Sequence, residues 1–168
     1  MLKRIVWIFI TVLWIGFIFF NSTRTSSQSS QASNSLLNFV NIILGVFNIN
    51  IDSDILSIII RKGAHFFEFF MLGILFFNSI DYHLIKNPGQ AKNLTTYFSY
   101  KFNLIAYYLL TLSFCLLIAI TDEYIQGLTN GRAKSVGDVF IDFGGCLAAV
   151  ILIFILKYKK IKSTLNID

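Results

Sequence analysis

Four long apolar runs, each closed off by polar residues, limit what this chain can become more than any other feature. They cover residues of about 5–20, 55–80, 104–123 and 138–157. A hydrocarbon core about 30 Å thick is crossed by roughly 20 helical residues, so each run is long enough to span. Backbone groups inside lipid must find partners within their own segment, which favours the helix. The expectation is an all-α integral membrane protein with four transmembrane helices in a single domain, 1–168. Composition agrees, with 55% of residues hydrophobic and only 14% charged, against about 25% charged in a soluble domain.

The first run follows Lys3 and Arg4 and has the outline of a signal peptide. It is rich in Phe, Ile and Trp, however, and no small-x-small site precedes Asn21, so an uncleaved anchor is expected. Lys and Arg counts set the direction. One side would hold Lys3, Arg4, Lys86, Lys92, Lys101, Lys157, Lys159, Lys160 and Lys162, and the other Arg24, Arg61, Lys62, Arg132 and Lys134. The excess on the first side places both termini in the cytoplasm. The net charge of +5 is explained by this flanking pattern. It forms no basic stripe, so nucleic acid is not an expected partner.

Between the first two spans, residues 21–35 are Ser-rich and read as a loop outside the membrane. The following stretch, 35–48, is apolar but too short to cross. Asn34, Asn38, Asn41, Gly45 and Asn48 recur at helical spacing, with Leu37, Val40, Ile43, Leu44 and Phe47 mostly opposite. The pattern predicts a short in-plane helix at the interface, placed to cover whatever lies beside it. A buried connector or re-entrant segment is the alternative. The inner connection, 81–103, carries a Pro88-Gly89 turn and an aromatic belt of Tyr97, Phe98, Tyr100 and Phe102. Cys115 and Cys146 fall at similar depths, which would allow a bridge, but buried free thiols are the expected state.

Charged groups sit where this arrangement makes them costly. Arg61, His65, Glu68 and Leu72 lie at intervals of four, three and four along one stripe of the second span, with Lys62 beside them. Asp122, Glu123 and Gln126 close the third span. Arg132 precedes the fourth, where Asp138, Asp142 and Gly145 repeat the four-and-three interval. All three groups fall on the same side of the membrane. Ionisable residues at such depth need partners, so a shared polar site on the outer face is expected. Gly73 and the Gly144-Gly145 pair would let the helices approach closely.

The pattern Arg61-Lys62-x-x-His65-x-x-Glu68-Phe69-x-x-Leu72-Gly73, then Asp122-Glu123-x-x-Gln126, Gly131-Arg132 and Asp138-x-x-x-Asp142-x-x-Gly145, resembles the VanZ-like family over about residues 57–155. That resemblance implies a small protein of the bacterial cell membrane, from a family named after a member that gives resistance to the lipid-bearing glycopeptide teicoplanin. It assigns no reaction and no catalytic residue.

Three functional readings follow. In the first, Arg61, Lys62 and Arg132, with Lys134 off the main stripe, hold phosphate or carboxylate groups of an amphiphile, oriented by Glu68 and the Asp residues. Membrane lipids, a lipid-linked wall precursor or a lipoglycopeptide would fit such a site. In the second, His65, Glu68, Asp138 and Asp142 supply acid and base to a reaction on a lipid head group. His65, Glu68, Asp122, Glu123 and Asp142 could also hold a divalent cation. The chain has no HExxH and no nucleophile beside a base, so neither metal nor cofactor is expected. In the third, four cations and five carboxylates balance as an ion-pair network that only aligns helices.

Overall fold

The structure, a computed structural model, describes residues 2–49, 51–84, 94–129, 131–132 and 134–165. It is all-α: α1 (Leu2–Ser22), α2 (Ser26–Val46), α3 (Ser53–Leu84), α4 (Leu94–Gly127) and α5 (Val136–Leu165). Four of these contain windows long and apolar enough to cross a membrane, Leu2–Ser22, Ser53–Ile80, Phe102–Gly127 and Val136–Lys159. The expected four spans and the helix between the first two are therefore present.

Two connections are shorter than the sequence reading had them. Most of the Ser-rich stretch is helix, because Thr25 accepts a bond from the Gln28 N–H while the Gln28 side chain accepts from the Thr25 N–H. This reciprocal cap offsets the weak helix preference of the serines that follow. The far end of α2 closes on a Schellman motif. Asn48, at φ 54°, donates to the Gly45 carbonyl and Ile49 donates to the Leu44 carbonyl. The 81–103 connection is likewise invaded, by α3 through Leu84 and by α4 from Leu94, so Tyr97, Phe98, Tyr100 and Phe102 belong to α4. At 1.5 Å per residue, α4 is about 51 Å long and outreaches the hydrocarbon. The Pro88-Gly89 turn, Lys86 and Lys92 lie outside the described residues.

A single core joins the four long helices. Ile18 of α1, Phe69 and Leu72 of α3, Cys115 and Ala119 of α4, and Cys146 and Val150 of α5 form one buried cluster. A second cluster towards the other end gathers Phe77, Leu104 and Ile153. Both cysteines are free and buried. The outward faces stay apolar, with Phe9, Leu13 and Phe17 on α1, Leu109 and Leu117 on α4, and Phe140 and Phe154 on α5 all exposed. Such surface fits lipid contact better than water. Of the small residues, Gly73 admits Ala149 and Cys146 of α5, and Gly145 lies against the Phe66 backbone of α3. Gly144 has only ordinary contact with the Phe66 ring and is not needed for the approach. At Gly145, α3 and α5 thus meet backbone against backbone.

Candidate functional site

One end of the bundle is polar, and every long helix contributes to it. From α3 come Arg61, Lys62, His65 and Glu68; from the end of α4, Asp122, Glu123 and Gln126; from the start of α5, Asp138 and Asp142. His65 Nδ1 lies 3.4 Å from Asp142 Oδ1, an ion-pair distance without hydrogen-bond geometry. Asp122 is the third member of this group, and one ligand-type atom from each of the three lies within 4.8 Å of the others. Asp122 and Asp142 are wholly buried, while His65 stays partly open.

The carboxylates differ in what holds them. Asp122 accepts from the Ser22 hydroxyl and, at 2.6 Å, from the Gln126 amide. Glu68 accepts from Asn21 Nδ2 at 2.8 Å, and the Trp14 indole N–H reaches the Glu68 carbonyl at 2.9 Å. Glu123 accepts from the backbone N–H of Ser135, whose hydroxyl in turn caps α5 through the Asp138 N–H. This ties the end of α4 to the start of α5. Asp138 faces Lys62 at 3.9 Å. Among the described residues, neither Asp142 oxygen has a hydrogen-bond donor.

Above these groups is a two-lobed polar cleft. One lobe, about 190 Å³, is bordered by Asn21, Arg24, Ser33, Arg61, Glu68 and Arg132. The other, about 330 Å³, is bordered by Ser26, Lys62, Gln126, Gly131, Ser135 and Asp138. Ser29, Arg61, His65 and Arg132 line both. Ser26 and Ser29 belong to the first turn of α2, whose positive dipole end therefore adjoins the cleft. Lys134 does not reach it. Its ammonium sits 4.3 Å from the centre of the Tyr124 ring, and its stem borders a separate apolar groove between α4 and α5.

Among the described residues, Arg24, Arg61 and Arg132 form no ion pair with a carboxylate. Arg24 instead lies 5.3 Å over the Phe20 ring. Burial first, and then the nearby Arg61 charge, hold the Arg132 guanidinium below its ordinary value. Glu68, Asp122 and Glu123 are held by neutral donors and do not contact these arginines, whereas Asp138 faces the cation Lys62 as the sequence led one to expect.

A model of the VanZ/LLP1 family matches residues 7–157. The chain belongs to the VanZ/LLP1 family. Comparison with curated proteins gives no match, and comparison with solved structures gives none. As a VanZ/LLP1 protein with four apolar helices it is a multi-pass membrane protein.

Sequence reasoning missed the contribution of α1. Asn21, Ser22 and Arg24 were assigned to a solvent loop, yet Asn21 and Ser22 hold two of the site carboxylates. The available signal was a polar pair directly ending an apolar run, at the depth where the other three helices become polar. In this VanZ/LLP1 chain the site is a four-helix construction, with α2 along its rim.

Proposed function

We propose that the polar cleft binds the anionic head group of a membrane amphiphile, with Arg24, Arg61 and Arg132 as its phosphate or carboxylate contacts. The observation that carries this reading is three guanidinium groups converging on one cleft without a carboxylate partner. Guanidinium groups close to one another repel until an anion intervenes, and their planar forks match phosphate and carboxylate. The N-terminal turn of α2 adds to the same field. Placed by the Lys and Arg balance, the cleft opens on the outer leaflet, where a lipid-linked wall precursor or a lipoglycopeptide would meet it. Altered susceptibility to a lipid-bearing glycopeptide is then one expected consequence.

A purely structural network has less support. It needs cations and carboxylates matched to each other, whereas Asp122, Glu68 and Glu123 are held by neutral donors. Head-group chemistry remains a second reading, favoured by one observation: His65 borders the cleft and is backed by Asp142, a buried carboxylate with no hydrogen-bond donor among the described residues.

The test is retention of short-chain phosphatidylglycerol, against phosphatidylcholine of equal chain length, by the purified chain in micelles under native mass spectrometry. Preferential retention of the anionic lipid, weakened by Arg132→Lys and by Arg61→Gln, is expected. Equal retention of both lipids would defeat the reading. Conversion of the bound lipid, lost in Asp142→Asn, would move the assignment to an enzyme.

A further inference from the structure

We infer that His65, Asp122 and Asp142 form a site for one divalent transition-metal ion, of the zinc or manganese kind, beneath the arginine cleft. The inference does not rest on the amphiphile reading, since an ion can bind whether or not a head group follows it.

Three observations carry it. The first is donor type and distance: one imidazole nitrogen and two carboxylates present ligand atoms within 4.8 Å of one another. Ligands about 2.0–2.2 Å from a tetrahedral ion are separated by roughly 3.3–3.6 Å. The His65–Asp142 separation of 3.4 Å already has that value. Closure on Asp122 asks only for small side-chain movements.

The second is Asp142 itself. It is 0% exposed, and among the described residues neither oxygen has a hydrogen-bond partner. His65 Nδ1, facing it, lacks one as well. A buried carboxylate without donors is costly, and a cation at this point would satisfy both groups together. The third is the support around Asp122. Ser22 and Gln126 each donate to one of its oxygens, which fixes the carboxylate while leaving lone pairs for a metal. That is the usual second layer of a metal site.

Access and vacancy also suit an ion. His65 lines both lobes of the cleft, so a cation can arrive from the polar side without crossing apolar core. Three protein ligands leave at least one coordination position, and the open side is the cleft with Arg61 and Arg132. An oxygen of a phosphate or carboxylate held by the arginines is the chemical class that would complete the coordination. One imidazole with two carboxylates suits zinc or manganese better than the all-oxygen cages of calcium or magnesium.

The experiment uses the full chain in detergent micelles, stripped with a chelator and titrated with Co²⁺, then with Zn²⁺ and Mn²⁺ in competition. Saturable uptake of one equivalent is expected, with ligand-field absorption bands from Co²⁺ that Zn²⁺ abolishes. Outer partners of metal ligands usually change affinity about 10–100-fold, so Ser22→Ala should fall in that range and His65→Gln or Asp142→Asn beyond it. Asp54→Asn, an exposed acid in the first turn of α3, should bind as the parent does. No saturable uptake by the parent chain overturns the inference, as does uptake that survives Asp122→Asn with Asp142→Asn. Should a variant fail to fold, the parent's stoichiometry and Co²⁺ spectrum still decide. The titration contains no lipid, so its failure leaves the head-group reading intact, and the reverse holds too.

Discussion

Gly145 on α5 lies so close to Phe66 on α3 that a β-carbon there would run into the Phe66 carbonyl oxygen, with the carbonyl carbon at 3.0 Å and the Phe70 nitrogen at 3.1 Å. The obstacle is backbone, which cannot rotate aside. Gly145→Ala should therefore force α3 and α5 apart and cost about 1–3 kcal/mol. Thermal unfolding in micelles measures it, with Gly144→Ala as the neighbour expected to behave as the parent. Equal stability of the two variants would contradict the close approach.

Ser22 and Asn21 make a second, graded case. Ser22 donates to Asp122, which is fully buried, whereas Asn21 donates to Glu68, which is partly exposed. Removing a donor from a buried carboxylate costs about 1–3 kcal/mol, and less where water can substitute. Ser22→Ala should destabilise the protein more than Asn21→Ala. Denaturant midpoints of the two variants give the order directly, and the opposite order would argue against a dry Asp122.

Arg24 is expected to matter as much as Arg61 to the proposed ligand. A charge-assisted hydrogen bond of about 1.5–3 kcal/mol corresponds to roughly ten- to a hundredfold in affinity. Arg24→Gln should weaken phosphatidylglycerol retention by that order, while Lys134→Gln should leave it unchanged, because Lys134 is turned onto Tyr124. A large effect of Lys134→Gln would place the ligand elsewhere.

Direction across the membrane is open to labelling in intact cells. With Cys115 and Cys146 replaced, a membrane-impermeant thiol reagent should modify Gln28→Cys and spare Gln90→Cys. The reverse pattern would turn the cleft to the cytoplasm, and extracellular ligands would have to be abandoned.

Spans and polar stripes were readable because hydropathy and the helical interval depend on sequence alone. The 61–65–68 and 138–142–145 intervals each project onto one face whatever the surroundings. Gly145 could be suspected of close packing for the same reason. Asn21, Ser22 and Arg24 were hidden because a polar residue after an apolar run looks identical whether it meets water or a carboxylate from another helix. The start of α2 was hidden differently. Its serines favour loops by intrinsic preference, and the Thr25-x-x-Gln28 cap that overrides them is a single local signal among many polar residues. That Asp142 meets His65 but receives no hydrogen bond among the described residues could not be read at all, since it depends on how the helices pack.

Because α3 and α5 meet backbone to backbone where Gly145, one turn from Asp142, lies on Phe66, the neighbour of His65, the backbones that carry the His65–Asp142 pair are held at a set separation. Among the described residues, α2 borders the cleft through short serine side chains and Leu36. The two walls of the cleft thus differ in kind: one is set by a backbone contact, the other by side chains. A substitution on the α2 wall can reshape the opening while the charged residues beneath it stay where they are.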